Sequence, residues 1–133
     1  SILIIDVDKF KEINDTWGHN TGDEILRQVS QAFYDNVRSS DYVFRYGGDE
    51  FIIVLTEATQ TDTLRIAERI RSRVEKTKIK SPAGDFIPLS LSIGAAMFNG
   101  HPDYERLIQI ADEALYTAKR RGRNCVELWK PAS

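Results

Sequence analysis

The sequence predicts an α+β domain in which short strands form one sheet and amphipathic helices cover it. Three patterns support this prediction. The apolar run at residues 2–5, followed by acidic residues, is typical of a buried central strand. Apolar residues recur at helical intervals in three later segments. Two strand-like runs flank a Gly-Gly turn, as in a β-hairpin.

The predicted element order is β-α-β-β-α-β-α-β. Its first six elements match the ferredoxin-like βαββαβ arrangement, an antiparallel sheet with helices packed on one face. An additional C-terminal helix and strand follow this core. The sequence contains no internal repeat and no linker, so we expect residues 1–133 to form one domain.

The first helix is predicted to follow a loop. Residues 9–20 are polar and rich in turn-forming types. Thr21 and Glu24 have the spacing of a capping box, which predicts a helix start. Apolar residues then recur at helical intervals, so we expect the helix to end at about Arg38.

The hairpin is predicted to pair residues 42–46 with residues 51–55. Gly47 and Gly48 stand in its turn, where we expect them to supply positive φ angles. A second helix follows from about Thr61.

The last third of the chain is predicted to hold a strand, a helix and a strand. Residues 89–95 alternate between apolar and small polar types, as in a half-buried strand. Residues 107–118 have helical periodicity, and Gly122 is predicted to close that helix. Residues 126–129 predict a final short strand.

Composition limits the class of protein. Lys and Arg number 18 and Asp and Glu 20, so the formal charge is −2, which argues against a nucleic-acid polymer as partner. No apolar run reaches the roughly 20 residues that cross a bilayer, so we expect this domain to make no direct membrane contact. The single cysteine, Cys125, excludes an intrachain disulfide. We expect a cytoplasmic domain, whose full-length protein could be membrane-anchored.

Four carboxylates are predicted to meet at one edge of the sheet. Asp6 and Asp8 end the first strand, and Asp49 and Glu50 lie in the hairpin turn. Their mutual repulsion would be relieved by a hard divalent cation such as Mg²⁺ or Mn²⁺, which is typical of nucleotidyl transfer. For Asp8 alone we favour an ordinary turn residue. For Asp6 with Asp49 we favour a metal site, because both lie in otherwise apolar segments.

Basic residues near these carboxylates could bind phosphates. Lys11 closely follows the first strand, and Lys119 and Arg123 lie four residues apart at the end of the last predicted helix. Cations at a helix C-terminus also complement the helix dipole without any ligand. Spacing alone therefore favours that simpler role for Lys119 and Arg123.

Three polar residues could contact a base. An Asn amide and an Asp carboxylate, such as those of Asn14 and Asp23, can accept the N–H groups of guanine. Each also has a structural interpretation. Asn14 is a common turn residue, His19 a loop residue, and Asp23 an acidic residue in the first turn of a helix, where the helix dipole favours it. The residues alone leave these alternatives open.

Four motifs occur together in order. Residues 45–51 contain Gly-Gly-Asp-Glu-Phe, accompanied by Asp-Val-Asp-Lys-Phe-Lys-Glu-Ile-Asn-Asp at 6–15 and Gly-His-Asn-Thr-Gly-Asp at 18–23. Residues 111–124 hold Ala-Asp-Glu-Ala-Leu-Tyr-Thr-Ala-Lys and then Gly-Arg-Asn. The chain thus resembles the GGDEF family of diguanylate cyclases along essentially its whole length. The resemblance implies a nucleotidyl-cyclase fold of the polymerase-palm type.

The resemblance also implies an activity, the condensation of two GTP into cyclic di-GMP and two pyrophosphates. It implies metal ligation by Asp6, the backbone carbonyl of Val7, Asp49 and Glu50, with two Mg²⁺ or Mn²⁺ ions per active half-site. Asp49 would take the proton of the ribose 3′-hydroxyl, aided by Glu50 and Lys11. The substrate-binding residues implied by the resemblance are Phe10, Lys11, Asn14, His19, Asp23, Gly47, Gly48, Lys119 and Arg123.

The implied reaction needs a homodimer, because one GTP must attack the α-phosphorus of a GTP held by a second copy. Arg38 and Asp41 form an R-x-x-D pattern five residues before Gly47, which resembles the family's inhibitory site for the product. Arg69 would be its supporting arginine. A salt bridge at the end of a helix is the alternative interpretation of Arg38 and Asp41.

Two other functions stay open from the sequence. One is a catalytically silent module that senses GTP or cyclic di-GMP, and the other is a different nucleotidyl cyclase or a relative of the polymerase palm. The family domain usually begins about 30 residues earlier, so we expect the chain to be most of a catalytic domain from a longer bacterial signalling protein.

Overall fold

The structure is a computed structural model that describes residues 1–98, 100 and 103–131. In chain order, its elements are β1 (Ile2–Val7), α1 (Phe10–Trp17), α2 (His19–Asn36), β2 (Tyr42–Arg45), β3 (Glu50–Val54), α3 (Gln60–Glu75), β4 (Ile79–Lys80), β5 (Phe86–Ile87), β6 (Leu91–Ala96), α4 (Tyr104–Arg120) and β7 (Val126–Leu128). No helix in this part of the chain is both long and apolar enough to cross a membrane.

Five strands form the main sheet in the order β2-β3-β1-β6-β7. The central strand β1 is antiparallel to both β3 and β6, whereas β7 runs parallel to β6. The order β6-β1-β3-β2 is the ferredoxin-like order, so the predicted fold class is confirmed. Helix α4 and strand β7 are the predicted C-terminal addition.

Helices cover both faces of the sheet. Alternate residues of a strand point to opposite faces. Leu3 and Ile5 of β1 therefore pack in the core beneath α2 and α3. These two helices lie on one face of the sheet, as predicted for the βαββαβ core. Ile2 and Ile4 pack on the other face against Leu115 and its neighbours in α4. The central strand is thus buried on both sides.

The prediction of a loop over residues 9–20 is wrong, because α1 occupies most of this segment. Phe10 and Ile13 are three residues apart and buried, and Trp17 packs against the same core one turn later. These few apolar side chains supply the packing that stabilises a short helix, although the polar residues between them suggested a loop.

The capping box predicted at Thr21 and Glu24 is also wrong. Gly18, with φ of 90°, separates the two helices, and α2 begins directly after it at His19 without a side-chain cap. Thr21 is buried inside the helix, and Glu24 pairs with Arg27 instead. The helix ends at Asn36, two residues before the predicted end.

The hairpin of β2 and β3 is confirmed, but the reason given for its glycines is wrong. Neither Gly47 nor Gly48 is among the residues with positive φ in the described chain. The turn is closed by hydrogen bonds from the Tyr46 and Gly47 N–H groups to the Glu50 carbonyl, at 2.8 and 3.3 Å. The Arg45 guanidinium also donates to the carbonyls of Gly47 and Gly48.

The later elements agree with prediction within about one turn. Helices α3 and α4 and strands β6 and β7 occur where the periodicity indicated. Gly122, with φ of 113°, follows the end of α4 as expected. The short hairpin of β4 and β5 was not predicted, because strands of two residues are too short to produce a periodic pattern.

Candidate active site

The site is built where β1 ends beside the start of β3. Asp6 pairs with Glu50 across the two strands, and the Val7 N–H donates to the Asp49 carbonyl at 3.1 Å. These contacts bring together the end of the first strand and the Gly-Gly turn. The predicted meeting of carboxylates at this edge is therefore observed for Asp6, Asp49 and Glu50.

Helix α4 adds a cation to these carboxylates. The Lys119 ammonium forms an ion pair with Asp6 Oδ2, and both groups are largely shielded from solvent. The other oxygen, Asp6 Oδ1, is buried and has no hydrogen-bond partner in the described residues. Burial raises the pKa of Asp6 to about 6, which Lys119 opposes and the neighbouring Asp49 reinforces.

Glu50 lies in the same electrostatic environment. Burial raises its pKa, and the charge of Asp6 raises it further, whereas Lys119 opposes this effect. Asp112 of α4 adds a smaller repulsion. The sequence analysis missed Asp112, although it precedes Lys119 by two helical turns and so shares its face of α4.

Side chains alone do not form a metal cage at this edge. Within residues 1–98, 100 and 103–131, no three His, Cys, Asp or Glu side chains are grouped so that they could hold a metal ion. The acceptor available here is the unpaired Asp6 Oδ1, beside Asp49. A cation at this edge would need backbone or ligand oxygens as well.

The predicted base-binding residues lie on α1 and α2. Asn14 sits against Gly22, so closely that a Cβ at residue 22 would overlap the Asn14 amide and lie 2.9 Å from its Cγ. Asn14 Oδ1 is buried and has no hydrogen-bond partner among the described residues. The adjacent Asp23 is exposed and lines a separate shallow depression with Arg45.

The other predicted nucleotide contacts differ in exposure. Lys11 on α1 and His19 at the start of α2 are exposed. Phe10 is 8% exposed and packs in the core next to Gly22. The Phe10 ring therefore lies beside Gly22 and Asn14 and offers no polar group for a hydrogen bond.

Arg123 lies beside the turn between β1 and α1. With Asp8 and Lys9 it lines a cavity of about 580 Å³. Asp8 is buried and accepts hydrogen bonds from Ser90 Oγ and Ser92 Oγ at 2.7 and 2.6 Å. Asp8 therefore has a structural role, as favoured, but as a buried acceptor and not as an ordinary turn residue.

Arg38 and Asp41 form the ion pair that was the alternative to a product site. The Asp41 side chain is shielded from solvent, and it accepts hydrogen bonds from the backbone N–H groups of Arg38 and Thr56 at 2.8 and 2.9 Å. The Arg38 guanidinium also reaches the Thr56 carbonyl. Arg69 lines a different depression on α3, together with Arg73 and Lys76. The structure joins Arg38 to Asp41, and Arg69 lines a depression that includes Asn36, two residues before Arg38.

Comparison with protein families matches residues 1–125 to the family described as diguanylate cyclase, GGDEF domain. The chain belongs to the GGDEF family. It is 88% identical to diguanylate cyclase DosC of Escherichia coli K12 over 130 residues, which are 98% of this chain and 28% of DosC. It is 44% identical to the response regulator PleD of Caulobacter vibrioides over 128 residues, 95% of this chain and 28% of PleD. This GGDEF chain thus spans less than a third of both curated relatives.

A solved structure is similar over nearly the whole of this chain. The GGDEF domain of DgcB from Caulobacter crescentus, in complex with c-di-GMP, superposes with a TM-score of 0.91 at 31% identity. The match covers 98% of this chain and 77% of that one. The likeness supports the polymerase-palm type of fold expected from the resemblance.

Proposed function

We propose that this GGDEF domain is a diguanylate cyclase that condenses two GTP into cyclic di-GMP and two pyrophosphates. The observation that carries the proposal is the arrangement of Asp6, Asp49 and Lys119, with Asp6 Oδ1 buried and unpaired. A buried acceptor without a partner is costly, and a bound cation would satisfy it. The relatives that carry the name diguanylate cyclase are much longer than this chain, so the proposal concerns the domain.

The residues at this edge fit a divalent cation. Asp6, the Val7 carbonyl and Asp49 would hold Mg²⁺ or Mn²⁺, with Glu50 beside them and phosphate oxygens completing the shell. The resemblance implies two such ions per half-site. When bound, they would neutralise phosphate charge and make the ribose 3′-hydroxyl more acidic.

The chain's own groups would bind and align the triphosphate. Lys119 already lies at Asp6, so its ammonium is placed to pair with a phosphate at the same edge. Lys11 of α1 and Arg123 of the loop after α4 would share the remaining charge. Asp49 would accept the proton of the 3′-hydroxyl, with Glu50 as the adjacent carboxylate.

Guanine recognition is proposed for Asn14 and Asp23, with His19 and Phe10 alongside. The unpaired Asn14 Oδ1 is an acceptor that suits a guanine N–H donor. Gly47 and Gly48 support a ligand at the turn, because neither positive φ nor internal crowding requires glycine at these two positions. Close approach of a nucleotide to the backbone would require it.

Catalysis would need two copies of the domain. One domain would present one GTP, whose 3′-oxygen must reach the α-phosphorus of the GTP on its partner. Alignment of the two nucleotides across a homodimer could supply several kcal/mol of the barrier reduction. Dimerisation would therefore control the rate.

Product inhibition is the second part of the proposal. Arg38 and Asp41 would bind cyclic di-GMP, with Arg69 in support. The Arg38 guanidinium is half-exposed, so it could exchange its contacts for a phosphate or a guanine. DgcB, which is similar in structure, was solved with c-di-GMP.

The proposal is tested by incubating the protein with GTP and Mg²⁺, as the full-length protein or fused to a dimeric coiled coil. We expect cyclic di-GMP from the wild type, none after chelation of the metal, and none from Asp49→Ala. Asp85→Ala, an exposed aspartate in the turn of β4 and β5, is the matched control and should be fully active. If the dimerised wild type binds GTP but makes no more product than Asp49→Ala, the domain is a silent sensing module.

Comparison of GTP with ATP tests the nucleotide. We expect a clear preference for GTP that Asp23→Ala weakens by about tenfold or more, because a hydrogen-bonded base edge would lose its partner. Equal turnover of both nucleotides would indicate a different nucleotidyl cyclase.

A further inference from the structure

The loop after α4 has an unusual backbone. Gly122, Arg123 and Asn124 have φ angles of 113°, 66° and 49°, so three consecutive residues are left-handed. Glycine and asparagine tolerate this region, whereas arginine disfavours it. The conformation of Arg123 therefore depends on contacts that fix the residues around it.

The first contact is made by Asp8. Its Oδ2 accepts hydrogen bonds from the Asn124 N–H at 3.0 Å and from Ser90 Oγ at 2.7 Å, and its Oδ1 accepts from Ser92 Oγ at 2.6 Å. The carboxylate is only 7% exposed. One buried side chain thus ties the end of β1 to β6 and to the left-handed loop.

The second contact is made by α3. The Asn124 Oδ1 accepts from Arg71 Nη1 at 2.8 Å, and its amide nitrogen donates to Glu75. The Arg71 side chain is itself largely buried and pairs with Glu68. Asn124 is therefore held through its backbone by Asp8 and through its side chain by α3.

These contacts set the position of Arg123. Its N–H donates to the Ala118 carbonyl at 3.1 Å, and the residue lines the same cavity as Asp8 and Lys9. That cavity borders the β1–α1 turn, directly after Asp6 and Val7. The loop thus brings Arg123 beside Asp8 and Lys9, the two residues that follow β1.

We propose that Asp8 is a positioning residue, which holds the left-handed loop so that Arg123 meets the triphosphate. The inference rests on the proposed function for the role of Arg123. Asp8 would act as a hydrogen-bond acceptor and not as a metal ligand, so its negative charge would be dispensable. An Asn at residue 8 could accept from the Asn124 N–H with its oxygen and donate to Ser92 Oγ with its nitrogen.

The test is the affinity of the full chain for GTP with Mg²⁺, measured by calorimetry. We expect Asp8→Ala and Arg123→Ala each to weaken binding about tenfold, and the double variant to bind no more weakly than either. Asp8→Asn should bind within about twofold of wild type, as should the control Ser92→Ala, which removes a donor outside the loop. Additive losses, or loss of binding in Asp8→Asn, would overturn the inference.

If a variant fails to fold, hydrogen exchange in the folded proteins still tests the inference. Hydrogen exchange at the Asn124 amide should be slow in wild type and in Asp8→Asn, and an amide that exchanges freely in wild type would count against the inference. Turnover separates this inference from the proposed function. GTP binding with the expected coupling but without cyclic di-GMP would reject the cyclase and retain the positioning role. No GTP binding by wild type would reject both.

Discussion

Gly94 of β6 lies against the backbone of Leu115 in α4, with no room for a side chain between them. A Cβ at residue 94 would stand 2.8 Å from the Leu115 Cα and would overlap its nitrogen and the Ala111 carbonyl. The missing side chain lets α4 pack directly on β6. That packing in turn brings Lys119 to Asp6.

Gly94→Ala should therefore destabilise the domain and disturb the site together. We expect a loss of about 3 kcal/mol in the free energy of unfolding, because backbone atoms cannot move aside as a flexible side chain can. Urea unfolding measures the loss. Gly48→Ala is the control, since a Cβ there has nothing within 4 Å, and its stability should change by less than about 0.5 kcal/mol. Equal stability of the two variants would contradict this account.

Gly22→Ala should act through Asn14. The new methyl group would displace the Asn14 amide, so we expect the KM for GTP to rise about tenfold, as it should in Asn14→Ala. In the Asn14→Ala background the nearest remaining contact is the Phe10 ring, at 3.3 Å. There the same change should cost no stability, because alanine favours a helix by about 1 kcal/mol over glycine. An equal loss in the free energy of unfolding on Gly22→Ala in the wild-type and Asn14→Ala backgrounds would contradict the prediction.

Arg38→Ala should relieve product inhibition without lowering the initial rate. The expected result is a curve of cyclic di-GMP formation that continues where wild type slows. Arg65→Ala is the matched control, since Arg65 also pairs with an aspartate three residues away, Asp62, at 3.0 Å. Unchanged inhibition in Arg38→Ala would leave the ion pair with Asp41 as a structural feature alone.

Asp41 should make stability depend on pH. Burial opposes its ionisation, but hydrogen bonds from Arg38 and Thr56 outweigh this and lower its pKa below the usual 3.8. Its stabilising effect is therefore present above pH 3.8 and is lost as the pH falls through the lowered value. Asp41→Asn should lose about 1–3 kcal/mol near neutral pH, and the difference from wild type should shrink in acid. Urea unfolding at both pH values checks this, and a constant difference would contradict it.

The sequence predicted those parts of the fold in which local pattern decides the outcome. Strand β1 and the Gly-Gly hairpin both occur where their sequence patterns predicted them. Helix α1 was missed because its stability comes from burial of Phe10 and Ile13 against the core, and this packing is not visible in a polar segment. The face of the sheet that α4 covers was not predicted. The apolar periodicity of α4 indicates that one side of the helix is buried, but not which surface it packs against.

The site was predicted in the same uneven way. The proximity of Asp6 and Asp49 was predicted because charge is unusual in apolar segments. Lys119 resembled an ordinary C-terminal helix cation until α4 was placed on β6. The contact of Asn14 with Gly22 and that of Asp8 with Asn124 join residues that the sequence analysis treated separately. Only the tertiary structure brings them together.

The burial of β1 on both faces also has a consequence for the chemistry of its last residues. A one-residue slip of β1 would turn every one of its side chains to the opposite face of the sheet. It would also turn the Asp6 carboxylate towards the core beneath α2 and α3, and bring Val7 to Lys119. The pairing register of β1 thus also determines which residue Lys119 meets.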